Sequence, residues 1–155
     1  MTDMVETVTV RRAAAGDVPA LADLRRAWTE ETVGPVADPE FADRFAAWYA
    51  AEAPTRLFWL AEIDARPVGM VNLVAFTRMP RPGRESSRWG YLGNAFVLEE
   101  HRNAGVGAKL VTALLAYTDA EGFARVVLSP SEASRPFYGR VGFGPADMLL
   151  ARVPG

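Results

Sequence analysis

Hydrophobic and polar residues alternate along positions 7–12, with Val8 and Val10 on one side and threonines and arginine on the other, which predicts a strand. The spacing then changes. Val18, Leu21, Leu24 and Trp28 recur at helical intervals behind a start signal, Asp17 as N-cap and Pro19 in the first turn, and the pattern fades near Val33. A second helix opens at 38–40 by the same device. It carries Phe41, Phe45, Trp48 and Tyr49 at i, i+4, i+7 and i+8, and Pro54 ends it. That aromatic stripe has two readings, core packing or the lining of a substrate cleft. Positions 57–63 and 68–76 predict two strands joined by a turn at 64–67, a hairpin. Positions 79–87, with Pro80, Pro82 and Gly83, predict a loop. Arg81 and Arg84 there, and the flanking Arg88, either attract an acidic substrate or are simply solvated.

The second half is organised around one transition. An apolar run over 89–98 predicts a long strand, a short polar turn follows, and Gly105 and Gly107 precede an amphipathic run. Leu110, Val111, Leu114, Leu115 and Tyr117 form the inward face of the resulting helix, which Gly122 caps. Positions 124–128 predict a short buried strand parallel to the previous one, closing a right-handed strand–helix–strand unit. A short helix over 132–140 and a last strand over 148–153 complete the chain, with no repeats and no long linker. The expectation is one domain over 1–155.

Composition narrows the chemistry. Half of the 155 residues are hydrophobic, 23% are charged and the net charge is −2, which argues against broad nucleic-acid binding. There is no cysteine, so disulfides, thiolate metal sites and a cysteine nucleophile are excluded. A single histidine, His101, excludes a histidine-rich metal cluster, and it reads as a solvated turn residue. No metal is expected. No apolar run reaches the ~20 residues of a membrane span, and positions 1–6 show no basic-then-apolar leader, so a cytoplasmic protein is expected.

A strand, a glycine turn and a helix start together make an anion site. The first N–H groups of a helix have no partner within it, the dipole adds partial positive charge, and glycine lets a phosphate approach. Gly107 is followed by Ala108 and Lys109, which does not make a P-loop ending, and Leu110 stands where a dinucleotide fold needs its third glycine. What remains is Arg102-x-x-Gly105-x-Gly107, or a glycine turn that only closes a tight connection.

The segment Arg102-x-x-Gly105-x-Gly107 resembles the pyrophosphate loop of the GCN5-related N-acetyltransferases. A second block, Phe137-Tyr138-Gly139-Arg140-Val141-Gly142-Phe143, resembles that family's F/L-Y-x-x-x-G-F segment, in the family's order and at its usual separation. The opening strand and Gly16-Asp17-x-x-x-Leu21-x-x-Leu24-Arg25 also fit. The resemblance implies an α/β (α+β) fold: a twisted mixed sheet of six or seven strands, splayed at its centre and flanked by about four helices. Acetyl-CoA would lie in the split. It implies backbone contacts to the cofactor from Ala95, Phe96 and Val97, and pyrophosphate contacts from Asn103, Ala104, Gly105, Val106, Gly107 and Ala108, with Arg102 opening the loop. Ser131 stands where the family often has an asparagine that meets the pantetheine, and it reads equally as a helix N-cap. A homodimer fits family habit, though no residue here specifies one.

The implied reaction moves an acetyl group from a thioester to a primary amine of a small molecule or peptide. Without cysteine, direct attack in a ternary complex is favoured. By family position Tyr138 is the expected general acid, and the backbone N–H of Val97 the expected oxyanion donor. No carboxylate lies on the strand before the glycine loop or the one after it. Glu30, Glu31 and Glu62 are base candidates that read equally as exposed charges. Asn94 can orient a water, and a water relay is the preferred route for the proton. Two rivals stand beside the enzyme: a non-catalytic acyl-CoA-binding sensor or inactive subunit, and an interaction protein using an exposed Trp48–Tyr49 face.

Overall fold

The computed structural model describes residues 7–155. Positions 1–6, read above for a leader, lie outside them. Elements run in the order β1 (Val8–Arg12), α1 (Val18–Val33), α2 (Phe41–Glu52), β2 (Arg56–Ile63), β3 (Arg66–Thr77), β4 (Arg88–Val97), α3 (Val106–Ala120), β5 (Val126–Val127) and α4 (Arg135–Arg140). The strands form one sheet in sequence order; β1 to β4 are antiparallel, and β5 runs parallel to β4.

Strand β2 shows why the sheet is the centre of the molecule. Its side chains alternate between two apolar layers, because successive residues of a strand point to opposite faces. Trp59, Ala61 and Ile63 pack with Leu110, Val111 and Leu114 of α3. Phe58 and Leu60 pack with Leu21 and Leu24 of α1 and Phe45 of α2. Both faces are therefore covered, one by α3 and the other by α1 and α2.

Two irregularities place the site. Met70 faces Phe96 and Asn72 faces Gly93, so Asn94 and Ala95 on β4 together oppose Val71 alone. This is a β-bulge, which bends its strand and increases the local twist. Asn94 takes the left-handed conformation there, with φ 53°. Strand β5 pairs only with Gly90 and Tyr91, before the bulge. Beyond it β4 has a neighbour on the β3 side only, and the sheet is splayed at that point.

Some expectations are corrected in detail. The sheet has five strands rather than six or seven. Positions 148–153 form no strand, and Leu150 and Val153 are exposed. An apolar run becomes a strand only against a partner edge, and β5, with two residues, offers almost none. β5 is likewise shorter than the 124–128 expected, pairing only with Gly90 and Tyr91, and α4 starts at Arg135 rather than at 132, because 131–134 form a turn closed by the Ser134 N–H bond to the Ser131 carbonyl.

Asp17 precedes α1 as expected, but its carboxylate turns back. Both oxygens accept from the Arg11 guanidinium at 2.8 Å, and Oδ2 also accepts from the Ala14 N–H at 2.8 Å. The Arg11 bonds, then the Ala14 bond, hold the Asp17 carboxyl down at about 2. A carboxyl held below its unfolded value stabilises the fold above that value and loses the contribution as pH falls through the folded one. Asp17→Asn should therefore flatten the fall in melting temperature between about pH 4 and pH 2, measured by circular dichroism; an unchanged acid limb would refute the assignment.

Candidate active site

Strand β4 supplies the first half of the site through its backbone. The Leu98 N–H donates to the Val68 carbonyl at 2.9 Å, towards β3. Backbone groups of neighbouring residues in a strand point to opposite sides. The N–H and C=O of Val97 therefore face the open side of the sheet, and those of Ala95 point the same way. Phe96 is placed differently: its backbone groups point to β3, and its ring is buried under Trp28, stacked at 5.4 Å.

The glycine loop supplies the second half. A 3-10 turn, Glu99–His101, leads into Asn103 with φ 61° and Gly105 with φ 84°, and α3 starts at Val106. Lys109 donates to the Gly105 carbonyl at 3.1 Å. The N–H groups of Val106, Gly107 and Ala108 precede this first helical bond and have no helical acceptor. They open into a cavity of about 520 Å³, lined by Ala95, Phe96, Val97, Phe137 and Tyr138 together with the loop residues. Of the six loop residues expected to meet pyrophosphate, all but Ala104 line it. His101 and Arg140 line it as well, so the cavity gathers basic side chains beside the helix start.

Arg102 opens the loop, but its guanidinium turns towards α1. Nη1 and Nη2 donate to the two Glu31 oxygens at 2.7 and 2.6 Å, and Nε donates to the Val97 carbonyl at 2.9 Å. Arg102 thus ties the end of α1 to the end of β4. The same pairing engages Glu31 and holds its carboxyl below the ordinary range, chiefly through the Arg102 hydrogen bonds. Glu30 accepts from Arg26, and Glu62 accepts from Arg11 at the β1 side of the sheet. None of these three carboxylates lines the cavities described here.

A second cavity, of about 510 Å³, occupies the splay between β4 and the chain after β5. Gly93, Asn94, Ala95, Ser131 and Tyr138 line it, and the Tyr91 hydroxyl spans its floor to Ser129 Oγ at 2.9 Å. Tyr138 lines both this cavity and the loop cavity, so it stands where they meet. Its ring is fixed edge-on against Phe137 and Phe143, at 5.0 and 5.8 Å. Burial raises its pKa, so the hydroxyl keeps its proton at neutral pH. Ser131 lines the splay cavity, and its Oγ accepts from the Ser134 N–H at 3.2 Å in the turn before α4; the N-cap of that helix is Ser134, so the capping reading of Ser131 is corrected by three residues.

A third cavity, of about 270 Å³, lies between α1, α2 and the sheet. Phe41, Phe45 and Trp48 line it, so the aromatic stripe serves as core on one side and as cleft wall on the other. Asn94 lines this cleft and also the splay cavity. Its side chain ends a chain of hydrogen bonds: Arg56 Nη1 donates to Asn72 Oδ1 at 2.8 Å, and Asn72 Nδ2 donates to Asn94 Oδ1 at 2.8 Å. With its carbonyl engaged, Asn94 presents its NH₂ group to the cavities, which suits a water oxygen or a carbonyl and cannot accept a proton. Arg56 and Asn72 are functional candidates that no local spacing announces. They lie 16 residues apart in sequence and meet only when β2 and β3 pair.

Known proteins share this fold. The fold matches a predicted acetyltransferase from Clostridium acetobutylicum, solved with acetyl-CoA, with a TM-score of 0.73 and 17% identity over 95% of this chain and 96% of that one. It also matches glucosamine-6-phosphate N-acetyltransferase from Arabidopsis thaliana, with a TM-score of 0.69 and 18% identity over 96% and 99%. In sequence, a glucosamine 6-phosphate N-acetyltransferase of Trypanosoma brucei brucei is 33% identical over 78 residues, half of this chain and 51% of that protein. The match therefore spans about half the length of that relative. A family model described as the acetyltransferase (GNAT) family matches residues 21–143, a stretch that runs from α1 past α4 and includes the open edge of β4, the glycine loop and Tyr138. The chain belongs to that family.

Proposed function

We propose that the chain, as one domain, is an acetyl-CoA-dependent N-acetyltransferase that acts on a primary amine by direct attack in a ternary complex. One observation carries the reading: the open backbone edge at Ala95 and Val97 runs into the unpartnered N–H groups at the start of α3, with Tyr138 where the two cavities meet. An extended amide-bearing arm would pair with the edge, and a pyrophosphate would sit at the helix start.

The neutral amine attacks the thioester carbonyl, forming the C–N bond. The oxyanion accepts a hydrogen bond from the Val97 N–H. As the C–S bond breaks, the thiolate takes the Tyr138 proton, and the ammonium proton leaves through water held by Asn94. No Asp or Glu lines the cleft or the splay cavity, which is why water rather than a side-chain base takes that proton.

Calorimetric titration with acetyl-CoA and with free CoA tests the first step, and micromolar binding is expected. An amine screen by thiol release follows, free of background because the protein has no cysteine. Acetyl-CoA binding with no thiol release for any amine would favour the binding-only sensor. For a turned-over amine, kcat/KM should rise along the free amine's own titration, near ~10.4 for an alkylamine. An inflection near pH ~6, where a tuned carboxylate titrates, would overturn the water relay.

A further inference from the structure

The acceptor cleft has a chemistry of its own. Four aromatic rings, Phe41, Phe45, Trp48 and Phe58, and the Met70 side chain form most of its wall. Its volume of about 270 Å³ lies just below the ~300–1,000 Å³ of typical small-molecule pockets, so it takes a small molecule. No carboxylate lines it, and two arginines do. A free ammonium ion finds no counter-charge there.

The arginines around the cleft are not equivalent. Arg44 is held by both Asp38 oxygens, at 3.0 and 2.6 Å. Arg56 is held by Glu52 and Asn72. Arg26 is held by Glu30 and by the carbonyls of Val36 and Asp38. Arg25 lines the cleft, is half-buried, and among the described residues has neither a hydrogen-bonded acceptor nor a carboxylate within salt-bridge distance. Its guanidinium lies over the Trp28 ring at 4.4 Å, which fixes its plane and leaves its N–H groups for a ligand.

We infer that the cleft selects a primary amine with a flat apolar body and one anionic group, carboxylate or phosphate, and that Arg25 binds the anion. The body lies among the rings of α2 and β2, and the amine reaches Asn94, the residue shared with the splay cavity. The inference rests on the N-acetyltransferase reading and adds the acceptor class to it. It also bears on the missing base: a cationic wall with no carboxylate disfavours the ammonium form and favours the neutral amine that attacks.

The test uses four amines: L-phenylalanine, tyramine O-phosphate, phenethylamine and glucosamine 6-phosphate. Binding is read by tryptophan fluorescence of the protein alone, and KM by thiol release with acetyl-CoA. The two anionic ring-bearing amines should bind at least tenfold more tightly than phenethylamine, and their order tells carboxylate from phosphate. Arg25→Gln should raise their Kd and KM at least tenfold, should not weaken phenethylamine, which loses a repulsive charge rather than a partner, and should leave acetyl-CoA affinity unchanged. Arg25→Lys should recover part of the loss. Phenethylamine binding as tightly as L-phenylalanine, or an Arg25→Gln effect equal for both, overturns the anion site. Glucosamine 6-phosphate binding best of the four overturns the flat apolar body. Each of these outcomes leaves N-acetylation itself intact, whereas absence of acetyl-CoA binding on the same sample removes the reading beneath it.

Discussion

Replacing Tyr138 with phenylalanine is expected to lower kcat by about 10²–10⁴-fold, the range for losing a positioned general acid, while acetyl-CoA affinity stays within twofold. The substitution removes one oxygen. The ring keeps its edge-on contacts with Phe137 and Phe143, and the hydroxyl donates to no described residue, so neither packing nor a structural hydrogen bond is lost. In the proposed mechanism, what is lost is the proton for the departing thiolate. Even the lower bound, about 10²-fold, corresponds to roughly 2.7 kcal/mol of barrier, well beyond any effect of a distant surface change. Stopped-flow thiol release beside calorimetry separates the two quantities. A kcat within threefold of wild type would show that the thiolate leaves without help from Tyr138.

The opposite signature is expected for Gly105→Val. At φ 84° a side chain meets its own backbone, at a cost of roughly 1–2 kcal/mol. The packing around Gly105 is open, with no atom within 4 Å of an added Cβ, so the core does not suffer. The loop relieves the strain by leaving the left-handed conformation, and that conformation aims the first N–H groups of α3. The loss of aim and the valine side chain in the anion's path should together weaken acetyl-CoA binding by at least about tenfold, or ~1.4 kcal/mol. Melting temperature should fall by only a few degrees, because the hydrophobic layers are untouched. Wild-type affinity in this variant would mean that the glycine loop is only a turn. The two variants thus split the site, one losing turnover at constant affinity and the other losing affinity.

Contiguity decided what could be read from the chain. Strand β4, the two glycines and α3 are neighbours in sequence, and the apolar run, the missing side chains and the helical period all fall within about thirty positions. The segment around Tyr138 is likewise local. The chain from Arg56 through Asn72 to Asn94 comes from three strands, and a hydrogen-bonded asparagine looks in sequence like any polar residue of a strand. Arg102 shows a related limit. Its position is legible, but its orientation depends on Glu31, 71 residues away, which meets it only after α1 has packed on the sheet. The run at 148–153 failed for another reason: apolar composition records a tendency to be buried, and a strand also needs an edge to bind.

The open stretch of β4 has a consequence for handling the protein. It is a short sheet edge, with the Ala95 backbone groups and the Val97 N–H facing away from β3, while the Val97 carbonyl is taken by Arg102. Edges of this kind are templates for adding strands. An extended cofactor arm that pairs with them also shields them. On the proposed reading, protein without acetyl-CoA should self-associate through this edge more readily than the loaded form, and light scattering with and without acetyl-CoA checks this.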